Sequence, residues 1–380
     1  MRCTFVLEPM IVIFFGEFIE PRDAEVMETL ELGDNWCLKI QVLSLCGLGA
    51  LSEDGQDSKM VMGGLMRLLF GGNDRVVSSC ELQPPRSVEL RMNQELSTLH
   101  FEALCSSLQC AQSIQTLIMG LTTDTGEQRV SVHWWKWLAY GLFSSGARSR
   151  SSFDDIRLTS IRRMSAEDME GFCAVLAAEH PEEYLCGTPR GQVQERTAIL
   201  TINAAVRWHF NAHGQLVIET LSMPWSSACV TLFSDGGSSE WVNAIVPGFG
   251  RCQVRRDDLV FDEDGGGDAC TPGLISLTIE FDKFEDSVSD GLPQFIEAVG
   301  AFLKALTIAD ATIELDVNEI IQCCPELQTL SLCGGTVDMQ IDLSGYRANN
   351  LPVPIFNCYW PSLNTFTREL YDMDKIACVG

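Results

Sequence analysis

Histidine is scarce in this chain, with five in 380 residues. General acid–base chemistry near neutral pH draws on histidine more than on any other side chain, so few positions could carry it. Cations are few as well: 26 Lys and Arg stand against 52 Asp and Glu, a formal net charge of −26. Most of such a surface repels a phosphate backbone, which argues against nucleic acid as the main partner. Nowhere does an apolar run approach the roughly 20 residues of a membrane-spanning helix. The strongest, Met10-Ile11-Val12-Ile13-Phe14-Phe15, is bounded by Glu8 and Glu17 and broken at Gly16. No membrane span is expected.

Several chemical signatures are missing too. The sixteen cysteines contain no Cys-x-x-Cys pair, the spacing that most zinc sites and redox motifs need. Cys105 with Cys110, and Cys323 with Cys324, are the nearest approaches, and neither has a second pair at a fitting distance. Many of the others sit in apolar surroundings, as Cys173 and Cys229 do, where free cysteine behaves as a small hydrophobe. A reducing compartment, cytoplasmic or nuclear, is the expected setting. No P-loop and no nucleophile elbow occurs. His209 and His213 flank the turn signal Asn211-Ala212-His213-Gly214, so strand alternation separates them rather than aiming both at one metal. Asp262 to Asp268 concentrates carboxylates, but a calcium loop beginning there would need Glu where Gly273 stands. Neither metal nor cofactor is expected, and no catalytic residue can be named.

What is present is a recurring apolar frame: apolar, two residues, apolar, one residue, apolar. It reads Ile40-Leu43-Leu45, Ile114-Leu117-Met119, Phe153-Ile156-Leu158, Leu274-Leu277-Ile279, Leu303-Leu306-Ile308 and Leu327-Leu330-Leu332, with a weaker copy in which Ser87 precedes Leu90 and Met92. The middle positions are 27 residues apart from 90 to 117, 29 from 277 to 306, and 24 from 306 to 330. Such spacing suits one strand plus one helix per unit. Helical stripes follow several frames: Leu96, Leu99, Leu104 and Leu108; Trp134, Trp137 and Leu138; Phe295, Val299 and Phe302. Ser165 with Asp168 three residues on reads as a capping box. The segment Leu43-Ser44-Leu45-Cys46-Gly47 recurs at 330–334.

On these residues, and on Cys324-Pro-Glu-Leu-Gln-Thr-Leu-Ser-Leu-Cys333, the chain resembles leucine-rich-repeat proteins of the ribonuclease-inhibitor-like type. The resemblance implies an α/β solenoid, with parallel strands on a concave face and helices on a convex face. It covers 85–180 and 273–335 best. The ladder position after each strand lacks the family's usual Asn or Cys.

Residues 186–270 break the pattern and read as β-strands and turns, among them Thr197–Asn203, Val206–Phe210 and Gln215–Glu219. The expected organisation is an N-terminal segment (1–84) with a poorly formed repeat near 36–60, a first array (85–182), a small β-rich insertion (183–272) and a second array (273–380). That array ends without a capping helix, as an irregular cap or a truncated chain would.

Side chains alternate along a strand, so the residues flanking each frame face away from the core. They are Arg91, Asn93, Arg157, Thr159, Thr278, Glu280, Thr307, Thr329 and Ser331. This band is mixed and mostly uncharged on an acidic chain, which suits a protein or peptide partner. The expected role is a non-enzymatic interaction scaffold. The alternatives are a substrate-recognition subunit of a ubiquitin ligase and an enzyme-like domain at 186–270.

Overall fold

The structure is a computed structural model that describes residues 10–14, 42–46, 87–91, 98–112, 114–121, 128–186, 197–212, 215–223, 227–234, 240–261, 274–283, 286–338, 354–359 and 376–378. The first described elements are three strands, β1 (Met10–Phe14), β2 (Val42–Cys46) and β3 (Ser87–Arg91). Helix α1 (Thr98–Leu108) leads to β4 (Thr116–Gly120). Helix α2 (Gln128–Leu138) runs into a π-helical turn at Ala139–Phe143 and a short α3 (Ser145–Arg150) before β5 (Asp155–Ile161). After β5 come α4 (Ala166–Ala177) and α5 (Pro181–Cys186).

Seven antiparallel strands follow: β6 (Thr197–Leu200), β7 (Ala204–Ala212), β8 (Gln215–Met223), β9 (Ser227–Ser234), β10 (Trp241–Val246), β11 (Gly250–Arg255) and β12 (Leu259–Val260). The chain then returns to β13 (Ser276–Phe281), α6 (Leu292–Val299) and β14 (Ala305–Ala309). It continues through β15 (Glu314–Asp316), α7 (Val317–Cys323), β16 (Thr329–Cys333), β17 (Thr336–Asp338), β18 (Ile355–Tyr359) and β19 (Ile376–Cys378).

Ten of these strands form one parallel sheet in the order β1-β2-β3-β4-β5-β13-β14-β16-β18-β19. Two apolar rows cross its buried face. One is Val88, Leu117, Ile156, Leu277, Leu306, Leu330 and Phe356; the other is Leu90, Met119, Leu158, Ile279, Ile308 and Leu332. Each strand thus contributes two side chains at period two to one core. The weak copy at Ser87 is misphased in the sequence reading: Val88, not Leu90, lies opposite Leu117.

The fold is mixed α/β: a parallel sheet plus a separate antiparallel sheet, with few helices among the described residues. It is not the expected leucine-rich-repeat solenoid with a convex layer of helices. The crossovers decide this. The one from β14 to β16 begins with strand β15 and has only the seven-residue α7. The next opens with β17, which pairs with β15 as a second, two-stranded parallel sheet. The link from β5 to β13 passes through the whole antiparallel unit. An apolar frame specifies where strands recur; it says nothing about what crosses between them.

Aromatic side chains fill the layer behind the sheet. Trp134 stacks on Phe101 at 4.1 Å and 7°. Phe172 and Phe295 lie 5.0 Å apart, with Phe143 at 5.6 Å from each and Trp135 edge-on to both. Trp134, Trp135 and Trp137 are all buried, so the core face of α2 is wider than the expected stripe. The π turn exists where the chain needs it least encumbered: a Cβ on Gly141 would stand 2.5 Å from the Cys105 carbonyl oxygen. Helix α4 begins with the expected capping box, Ser165 N donating to Asp168 Oδ2 at 2.8 Å and Asp168 N to Ser165 Oγ at 3.3 Å. One stripe residue departs from expectation. The helix ends at Val299 and Phe302 closes a 3₁₀ turn, 44% exposed under the Arg148 guanidinium.

The antiparallel sheet has the order β12-β6-β9-β10-β11-β7-β8 and one apolar face of its own, centred on Val206, Trp208, Leu232, Val242 and Val254. Its other face is divided. Phe233 and Ile245 turn into the core of the parallel sheet, while the far half, around Trp241, does not. The unit seats on α1 through the turn from Val246 to Gly250. Gly250 has φ +69°, and a Cβ there would meet Glu102 and the Ala103 amide at 2.8–3.0 Å.

Candidate functional site

The open face of the parallel sheet is set by the same alternation that fills its core. Between the buried Ile156 and Leu158, Arg157 points out; between Leu277 and Ile279 stands Thr278, and between Leu306 and Ile308 stands Thr307. Strand register places Ile118, Arg157, Thr278, Thr307, Ser331 and Asn357 side by side in one continuous row. Four of the expected site residues are therefore neighbours. Thr329 belongs to the adjoining row with Asp155, Ser276 and Ala305.

Arg91 lies in register with Gly120, and Gly120 with Thr159, on the opposite flank. Glu280 continues that flank opposite Ala309, but a bulge separates it from Thr159. Leu158 pairs with Ile279 and Ile161 with Phe281, so Thr159 and Ser160 together oppose Glu280. Ser160 takes φ +55° to absorb the extra residue. Asn93 lies outside the described residues, as do His213 and the 262–268 carboxylates.

The electrostatics of the row differ from those expected. Arg157 is no isolated cation: its Nη2 lies 2.9 Å and its Nε 3.0 Å from Asp155 Oδ2. The guanidinium is held along its own strand, and the pair is locally neutral. Farther along, Asn357 Nδ2 donates to Ser331 Oγ at 3.3 Å. Thr278 and Thr307 between them offer hydroxyls, and Ile118 at the other end is apolar. Such a surface donates and accepts hydrogen bonds without net charge, which fits peptide groups and neutral side chains.

The two arginines that follow β5 are also balanced locally. Arg162 approaches Asp282 at 3.7 Å and Arg163 approaches Asp168 at 3.4 Å. Among the described residues, cysteine chemistry has little to work with. Burial pushes the Cys105 thiol up, with the charge of Glu102 adding to it, and burial raises Cys324 to about 12. At neutral pH these remain thiols, which are poor nucleophiles and poor metal ligands. Among the described residues, no group of three or more His, Cys, Asp or Glu could hold a metal ion.

One charged contact was not legible in the sequence. Glu102, 1% exposed on α1, faces His133 Nε2 of α2 at 3.1 Å. The two lie 31 positions apart, and nothing in a one-dimensional pattern joins them.

No family model, curated protein or solved structure matches this chain. Among the described residues, no helix is long and apolar enough to cross a membrane.

Proposed function

We propose that this chain is a non-enzymatic interaction protein whose partner, a protein or peptide, lies across the open face of the parallel sheet. The observation that carries the reading is the row Arg157-Thr278-Thr307-Ser331-Asn357, drawn from five adjacent strands and aligned by register. A rigid sheet holds these groups at the spacing of its strands, about 4.8 Å. Polar groups so fixed lose little freedom on binding, which favours affinity over a flexible loop of the same composition. The neutralised Arg157 and the hydroxyls beside it spare an approaching protein the repulsion that the acidic remainder would impose.

The thiol chemistry supports a reducing, intracellular setting: eight described cysteines are free, and burial raises several of them. The experiment is affinity capture with quantitative mass spectrometry, comparing the native chain with an Arg157→Glu, Thr307→Glu variant of equal thermal midpoint. Loss of a specific partner set supports the reading, and unchanged recovery opposes it.

A further inference from the structure

The half of the antiparallel sheet's outer face that the parallel-sheet core leaves uncovered holds a cation site of a different kind. Val206 and Trp208 point inward on β7, so Arg207 between them points out. By the same parity Gln253 and Arg255 on β11, and Trp241 and Asn243 on β10, share that face. The Arg207 guanidinium lies 4.0 Å from the Trp241 ring centroid, and Arg255 lies 5.4 Å from the same ring. Arg207 Nε donates to Gln253 Oε1 at 2.7 Å, and Gln253 Nε2 donates to Asn243 Oδ1 at 2.8 Å. A chain of two amides thus fixes the plane of the guanidinium over an indole.

Charge makes this arrangement informative. The chain carries −26 overall, yet Arg207 forms no ion pair among the described residues. Arg255 has one, with Glu240 at 3.1 Å. Arg251, exposed on β11, lies farther along the same face, beside Ile245. Arg207 is held by its Nε edge, which leaves its Nη groups as the donors that a carboxylate would take.

We propose that Arg207, oriented by Gln253 and stacked on Trp241, anchors a carboxylate side chain of an acidic peptide segment lying across this face. It is a second binding surface, independent of the parallel-sheet row. A nucleic acid fits less well. The Trp241 ring is already occupied by guanidinium and is not open for a base to stack on, and a long phosphate chain would meet the acidic remainder. A short segment needs only one carboxylate at the Arg207 Nη groups, where Glu240 is already held by Arg255.

The test uses the full chain and a fluorescein-labelled decapeptide of alternating Glu and Ser, read by anisotropy at low salt. The controls are the alternating Gln and Ser decapeptide and a ten-nucleotide oligouridylate. The Glu peptide should bind, with the Gln peptide weaker by about tenfold or more, the scale of a charge-assisted hydrogen bond. Arg207→Ala should lose a similar factor. Arg207→Lys should not restore it, since lysine keeps the charge but not the fork or the stack. Gln253→Leu, which leaves the cation in place but frees its plane, should weaken binding less than Arg207→Ala.

Circular dichroism and thermal melting identify any variant that fails to fold; in that case Arg207→Lys is read in its place. Equal binding of the Glu and Gln peptides overturns the proposal. So does undiminished binding by the folded Arg207 variants, tighter binding of the oligouridylate than of the peptide, or no peptide binding at millimolar concentration. None of these outcomes bears on the parallel-sheet row.

Discussion

The amide of Gly250 donates to the hydroxyl of Ser106 at 3.3 Å, across 144 positions of sequence. The same oxygen accepts from Gly248 N at 3.2 Å, while the Ser106 proton goes to the Ala103 carbonyl at 2.7 Å. One side chain on α1 therefore satisfies two buried amides of the antiparallel unit. Ser106→Ala would strand both, each at about 1–3 kcal/mol. Denaturant unfolding should show a lower midpoint, and hydrogen exchange should quicken first at residues 246–250.

Gly250 has a separate reason to be glycine. Its φ of +69° and its approach to Glu102 and Ala103 both exclude a side chain. Gly250→Ala should cost about 1–2 kcal/mol from the left-handed conformation alone, with more from the displaced contact. Limited proteolysis should then cut the antiparallel unit before the parallel sheet, because the seat between them loosens while each core survives.

In the parallel sheet, Leu330 is fully buried, with Leu306 and Phe356 beside it in register. Leu330→Ala should destabilise the chain by about 2–5 kcal/mol. A smaller loss would mean that the sheet collapses onto the cavity more readily than its aromatic backing suggests.

The raised thiols predict a pH dependence. Burial lifts Cys324 to about 12 and also raises Cys105 and Cys252, so above the ordinary thiol value the folded chain holds protons that the unfolded chain releases. Stability should be complete below that value and fall as pH rises towards about 12. Iodoacetamide at pH 8.5 should leave Cys324 unmodified in the native chain and label it in denaturant. Labelling of native Cys324 at the rate of the unfolded chain would contradict its enclosure.

The strands were legible because burial on one face writes period two into the chain. Leu277, Leu306 and Leu330 share a row as their frames imply, and the β-rich reading of 186–270 found antiparallel strands from Thr197 to Val260. Val88 was misassigned because Leu90 and Met92 mimic the frame two residues late. The crossovers were not legible: β15 and β17 are three residues each, too short to show a period, and they replace the helical layer that the frame suggested. At the sites, alternation alone placed Arg157 and Thr278 outward. Arg157's partner, Asp155, also lies on that face, two residues earlier on the strand, and alternation does not say that the guanidinium turns onto it. Arg207 and Trp241 are 34 positions apart on non-adjacent strands, a pairing that requires the sheet order.

The central claim is that the row from Arg157 to Asn357 is where a protein partner sits. Its most direct measurement is lysine- and acid-reactive cross-linking of the captured complex, mapped by mass spectrometry, with the Arg157→Glu, Thr307→Glu variant in parallel. The account predicts cross-links concentrated around the strand ends of β5, β13, β14 and β16, at Asp155, Glu280 and Lys304, and their loss in a variant that melts within a degree or two of the native chain (about the noise expected of exposed substitutions). Cross-links confined to the helical side, or a variant that retains the whole partner set, would contradict it.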